Sequence, residues 1–283
     1  MVRIISDSTC DLSPELVERY HVTILPLHIL LGEEEHEDGV DITQGEIFAW
    51  ADEHKTTPKT SAPSQERAME LMRPFVEAGD ELVCFSIASG MSTSGNVMRL
   101  AAEELNASDR ITVIDSANLS TGIGLLVVEA AIMAGEGKSA KEITDRMEEL
   151  KPLVRASFVV DTLVYLHRGG RCSGLAALAG GALKLHPMIQ VKDGVMHPEK
   201  KYRGKMINVV TAYAKDLEEA MKNARPQRVF ITHTCTDDQT VEAVREYLEG
   251  LGIFDEVLET RAGGVVSSHC GPGTLGVLFI ARE

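Results

Sequence analysis

The 283-residue chain has no apolar run approaching the roughly 18–20 residues that a membrane span requires, so stable membrane insertion is not expected. Its opening stretch, MVRIISDSTC, lacks the charged and apolar regions of a secretory leader and runs straight into a strand-like apolar segment. Basic residues are outnumbered by acidic ones, 28 against 43, leaving a net charge of −15. That balance argues against nucleic acid, whose phosphates are bound by clustered Lys and Arg, and against a general attraction to anionic lipid surfaces. The five cysteines are odd in number and form no CxxC pair, which reads as reduced thiols in a cytoplasmic protein rather than a disulfide framework. The nine histidines are scattered, with no HxxxH or HExxH, and no metal site is expected.

What is there is a rhythm of short apolar runs and amphipathic stretches, the pattern of an α/β protein with a largely parallel sheet. Residues 2–6 read as a strand, followed by a helix that Ser13 caps and Pro14 opens. The run 22–30 is a second strand, interrupted at Pro26 by a bend or an edge. Asp38-Gly39 signals a turn, and TQGE at 43–46 is a capping box for a helix reaching about His54. ELVCFSI and RITVIDS are further strands, each followed by a helix; the one in GIGLLVVEAAIMAG is apolar nearly all round and must be buried. A helix in SAKEITDRMEELKPLV ends near Pro152, where the domain boundary is placed: 1–152 and 153–283. Beyond it come ASFVV, a glycine-rich helix, a hairpin at Asp193-Gly194, a long helix over 205–224, RVFITHT, another helix and two final strands. Polar clusters fall at strand ends, namely Asp7-Ser8-Thr9, Ser86–Ser94, Asp115-Ser116 and His233-Thr234, and their convergence predicts a binding cleft.

The segment SIASGMSTSG (86–95) carries the most chemistry. GMSTS nearly matches the G-x-S-x-G nucleophile elbow, with Ser94 in place of the last glycine. A serine hydrolase acting on an acyl ester, with Ser92 as nucleophile and His233 or His269 as base, is therefore one reading. The other is an anion grip, because first-turn N–H groups of a helix lack intrahelical partners and hydroxyls of Ser92, Thr93 and Ser94 can add donors. KTSAPS (59–64) holds a second group of hydroxyls, in which Ser64 caps a helix while Thr60 and Ser61 need another explanation. CGPGTLG (270–276) matches G-x-G-x-x-G, yet a strand follows it and the chain stops, so it is no dinucleotide site. His269 beside it is a candidate donor to an anion, and Cys270 a weaker candidate thiol nucleophile. In residues 167–187, small residues read as packing and Arg171 as the polar candidate. KKYRGK (200–205) is the one basic cluster, either a solvated hairpin end or a local anion or partner contact.

Taken in order, SDSTCDLS, KTSAPS, SIASGMSTSG, DSANLSTGIG, HRGGRCS and SSHCGPGTLG resemble the DegV family over essentially the whole chain. DegV-family proteins are the fatty-acid-binding subunits of bacterial fatty acid kinase. The resemblance implies a Rossmann-like N-terminal domain plus a C-terminal α/β domain, with a ligand tunnel between them. It implies a cytoplasmic, non-enzymatic carrier of one long-chain fatty acid, needing no cofactor, that presents its carboxylate to a separate ATP-dependent kinase subunit for acyl-phosphate formation. It also implies that Thr60, Ser92 and His269 hold the carboxylate, with a backbone N–H at Thr93. Arg171 and Arg203 match family arginines associated with the kinase step. Two departures stand out: Ala62 replaces the family's glutamine, and Thr93-Ser94 replaces its Gly-Thr.

Overall fold

The computed structural model describes residues 1–172 and 185–283. The chain opens with β1 (Val2–Asp7), a single 3-10 turn and α1 (Pro14–Arg19). Ser13 caps α1 by accepting the Leu16 N–H, as its position before Pro14 predicts. The run 22–30 divides at Pro26 into β2 (Thr23–Leu25) and β3 (His28–Leu31), which join different sheets. A proline has no N–H for a ladder, so the strand stops there and re-aims. Next come β4 (Glu34–Glu37), α2 (Gln44–His54), β5 (Lys59–Ser61), α3 (Gln65–Glu77), β6 (Glu81–Ser86) and α4 (Ser94–Glu104). The half closes with β7 (Ile111–Asp115), α5 (Thr121–Gly135) and α6 (Ala140–Leu150). The Thr43–Glu46 capping box on α2 and the Ser64 cap on α3 form as expected.

The first sheet, ordered β2-β1-β6-β7, is parallel throughout. A small antiparallel sheet, β4-β3-β5, sits beside it and places Thr60 opposite Ile29. The polar stretch 33–41 hides it in the sequence, since only the turn at Asp38-Gly39 has a local signature.

The second half runs β8 (Val154–Val159), α7 (Val164–Gly169), β9 (Leu185–Lys192), β10 (Val195–Arg203), α8 (Met206–Asp216) and α9 (Glu218–Met221). It ends with β11 (Ala224–His233), α10 (Asp238–Gly250), β12 (Glu256–Arg261), α11 (Gly264–Cys270) and β13 (Leu275–Ala281). Its sheet, β10-β9-β8-β13-β11-β12, corrects the expectation of a largely parallel arrangement: only β11 and β12 pair in parallel. The cause is partly local, because Asp193 and Gly194 adopt φ of 50° and 75° and close a tight hairpin that forces β9 and β10 antiparallel. The helix expected over 205–224 breaks at Leu217 into α8 and α9, and β11 has begun by Ala224. Most of the expected glycine-rich helix falls at 173–184, outside the described residues; α7 lies just before it.

The fold is a mixed α/β structure in a two-domain arrangement. Helix α5 explains its own composition: it packs against β1 on one side and against β8 and β13 on the other. From Thr121 to Ala131 only Glu129 escapes full burial, and Arg225 and Arg228 pair with that carboxylate. The main apolar cluster is continuous through this layer, from Ile4 and Phe85 through Ile123 and Leu126 to Phe158 and Leu278. Among the described residues, no helix is long and apolar enough to cross a membrane.

Candidate functional site

The turn after β6 is built by buried polar groups beneath it. Asp7, at the end of β1, accepts the Ile87 N–H at 2.9 Å while its other oxygen takes the Thr9 N–H and hydroxyl. Asp115, at the end of β7, accepts the Ser89 and Ala117 N–H groups. Met91 and Ser92 both donate to the Ala88 carbonyl, tightening the loop into α4. Gly95 lets the helix come down on the strand: a Cβ there would lie 2.5 Å from Ser86 Oγ. Ser92 Oγ accepts the Ser94 N–H at 3.3 Å, while Thr93, at the N-cap position, makes no side-chain cap bond. A hydroxyl that accepts in this way still has its own O–H to donate.

This turn, β5 and the end of α11 surround a cavity of about 470 Å³. That size lies within the roughly 300–1,000 Å³ usual for small-molecule sites. Thr60, Ser92, Thr93, Arg171 and His269 all reach its wall, together with Ser61 and Ala62. The remaining lining is chiefly apolar: Leu27, Ile87, Met91, Leu119, Met196, Val265 and Val266. Thr60 Oγ1 lies 2.7 Å from His269 Nε2, joining residues 209 positions apart. Burial, reinforced by the Arg171 guanidinium, pushes the His269 pKa down to about 4, so the imidazole is neutral at physiological pH. Its Nδ1 has no hydrogen-bond partner among the described residues and faces Gly169, where a Cβ would sit 2.4 Å away. Gly169 in HRGGRCS therefore makes room for the ring. A second cavity of about 570 Å³ shares Thr60, Arg171 and His269 with the first and is basic, with Lys59 and Arg168 also in its wall.

The parts of a serine nucleophile are not assembled around Ser92. His269 Nε2 faces Thr60, and His233 Nε2 lies 3.2 Å from Glu259 Oε1, away from the cavity lining. Cys270 lines the cavity, but burial raises its pKa so far that the thiolate required of a nucleophile does not form near neutrality. Gly271 and Gly273, at φ of 79° and 72°, turn the chain from α11 into β13, which agrees with the rejection of a dinucleotide motif. Arg171 stands at the rim with its Nη1 donating to the Gly169 carbonyl at 2.7 Å. Arg203 is exposed at the end of β10 and lines neither cavity; in the same basic cluster Lys200 pairs with Asp216. Of the four polar clusters at strand ends, only Ser86–Ser94 delivers side chains to the cavity wall; Asp7 and Asp115 support its backbone from behind. Among the described residues no group of three or more His, Cys, Asp or Glu is placed to hold a metal ion. The sequence reading passed over Asp11 and took Asp38 only as part of a turn, yet both carboxylates accept backbone N–H groups at the start of α11, at the pair Gly263-Gly264.

A family model described as "Uncharacterised protein, DegV family" matches residues 1–282. A DegV domain-containing protein of Deinococcus radiodurans is 31% identical over 276 residues, covering 98% of this chain and 97% of its own. Among solved structures, a DegV-family protein of Thermus thermophilus described for its fatty acid binding superposes with a TM-score of 0.91 at 30% identity, over 99% of both chains. A Eubacterium ventriosum protein described as binding a fatty acid, stearic acid, superposes with a TM-score of 0.86 at 32% identity, over 100% of this chain and 99% of its own.

Proposed function

The chain belongs to the DegV family, and on that premise we propose that it is a carrier of one long-chain fatty acid. The acyl chain lies along the apolar wall of the 470 Å³ cavity, and the carboxylate is held by the hydroxyls of Thr60 and Ser92, the Thr93 backbone N–H and His269. The observation that carries this reading is the composition of that wall, in which an apolar lining is joined by the hydroxyls of Thr60, Ser92 and Thr93, the bonded Thr60–His269 pair and the guanidinium of Arg171.

Burying about 14 methylenes at ~0.8 kcal/mol each supplies on the order of 11 kcal/mol of gross driving force. Association and ordering consume much of it, on the order of 4–15 kcal/mol. The head-group contacts then have one task, to replace the water that a carboxylate loses on burial. Hydroxyl and amide donors do this without a bidentate ion pair, and the carboxylate oxygens stay open to attack on a phosphoryl donor. The one N–H of neutral His269 donates to Thr60 Oγ1, so that the threonine O–H is free for the carboxylate. The carrier hands its cargo to a separate ATP-dependent kinase subunit, which makes the acyl phosphate. Arg171, at the rim, meets the developing phosphate, and Arg203, exposed on β10, meets the partner. Thr93 and Ala62, where relatives of the family pattern carry glycine and glutamine, reshape the head-group end. The division between domains lies near Pro152, where α6 gives way to β8, and the protein works in the cytoplasm.

Denaturing mass spectrometry of protein purified from a bacterial host tests the carrier. The expected result is one free fatty acid per chain. A protein that comes off empty and turns over a chromogenic acyl ester would sink the proposal in favour of a Ser92 hydrolase.

A further inference from the structure

Helix α11 presents His269 to the cavity, yet its own sequence does little to hold it in place. It is only seven residues long, and its N-cap, Gly263, has no side chain to satisfy the first N–H groups. Isolated helices of this length are unstable, and an uncapped start adds to the difficulty.

Two carboxylates from far along the chain take over the missing role. Asp11, in the turn after β1, accepts the Gly263 N–H at 2.8 Å. Asp38, in the loop after β4, accepts the Gly264 N–H at 2.6 Å. Their second oxygens are held too: Ser120 donates to Asp11, and Ser8 donates to Asp38 at 2.8 Å. The Asp38 main chain is itself fixed, its N–H donating to the Leu27 carbonyl. Contacts leave no room for side chains at either glycine. A Cβ at residue 263 would approach oxygens of both aspartates at 3.1 Å, and one at residue 264 would lie 2.5 Å from Ile29 Cδ1.

Both carboxylates are buried, and neither has an ion-pair partner among the described residues. Burial raises both pKa values, and Asp11 is raised further by the facing charges of Asp38 and Asp7. Burying carboxylates with hydrogen bonds but no countercharge is costly, so their value lies in geometry. Two adjacent N–H groups held by two separate anchors define both the axial position and the rotation of α11. Rotation decides where a side chain near its far end points. The same small sheet closes the loop: β3 precedes the Asp38 segment and pairs with β5, which carries Thr60. One rigid frame therefore holds both partners of the Thr60–His269 contact.

We infer that Asp11 and Asp38 are positioning residues of the carboxylate grip, setting where His269 meets Thr60. The inference rests on the proposal that this pair holds a fatty acid head group. The test uses the full chain, with Asp38→Ala, Asp38→Asn and Asp11→Asn compared with the unaltered protein. Histidine-¹⁵N NMR without ligand reads the tautomer and environment of His269, and titration with palmitate and with hexadecanol reads the grip. In folded Asp38→Ala, the His269 resonances move, palmitate weakens about tenfold, the equivalent of one well-placed hydrogen bond, and hexadecanol changes less than about threefold. The asparagine variants keep an acceptor for the glycine N–H and show the same changes at smaller amplitude, so they decide the matter if Asp38→Ala does not fold. His269 resonances that stay put in a folded variant would overturn the inference, as would equal losses for acid and alcohol. If the unaltered protein binds no palmitate, the fatty acid proposal fails, and the His269 spectrum still judges the positioning on its own.

Discussion

Replacing Thr60 with valine removes one hydroxyl and little else. The residue sits in β5, opposite Ile29, and a β-branched valine suits that strand as well as threonine does. Two things are lost: the 2.7 Å contact with His269 and, in the proposed complex, one donor to the carboxylate. A hydrogen bond to a charged group is worth about 1.5–3 kcal/mol, so a loss near 2 kcal/mol weakens palmitate about 30-fold. Hexadecanol has no charge to stabilise, and its loss follows the neutral hydrogen bond, about 0.5–1.5 kcal/mol, or about 2- to 13-fold and centred near 5-fold. Isothermal titration of both ligands into wild-type and Thr60→Val protein measures the difference directly. Equal weakening of acid and alcohol would show that the hydroxyl serves packing or folding. Unchanged palmitate affinity would remove Thr60 from the head-group site.

Other outcomes follow from the same geometry. The His269 pKa of about 4 lies below its unfolded value of 6.5, so its burial contributes stability above pH 6.5 that is lost as pH falls toward 4. The full loss is about 3 kcal/mol, and chemical denaturation across that window should show His269→Asn losing less stability on acidification than wild type. The difference between the two proteins is the required measure, because Asp7, Asp11 and Asp38 have raised pKa values and act with the opposite sign. Gly264→Ala drives a methyl group to 2.5 Å from Ile29 Cδ1 and 2.7 Å from Ile47 Cδ1. Overpacking of this kind costs about 1–3 kcal/mol, to be read as a lowered urea midpoint, and an unchanged midpoint would contradict the packing. Of the five cysteines only Cys235 is exposed, so a thiol probe should label the native protein once, at that residue, with further labelling only on unfolding.

Features of the fold that were legible in the sequence are those with local causes. The Ser13 and Ser64 caps and the Thr43–Glu46 box each satisfy first-turn N–H groups within four residues, so the pattern and the physics occupy the same short window. The all-round apolarity of α5 predicted burial without revealing that two different sheets would cover it. The antiparallel second sheet was misread because alternating strands and helices do not specify that β13 inserts between β8 and β11. The Ser92 turn was legible as strand, glycine, hydroxyls and helix. Its partners were not: Thr60 and His269 meet across 209 residues, and only the family resemblance joined them in advance. Asp11 and Asp38 act across 252 and 226 residues on backbone N–H groups, which have no side-chain identity to read.

In the proposed complex a fatty acid carboxylate sits inside the protein among Thr60, Ser92 and His269. Palmitate labelled with ¹³C at the carboxyl carbon reports on that directly by NMR. A carboxylate held there gives one bound resonance that keeps its position between about pH 5 and pH 8 and shifts in both Thr60→Val and Ser92→Ala. A resonance that titrates like free palmitate and ignores both substitutions would place the carboxylate in water, outside the Thr60–Ser92–His269 site.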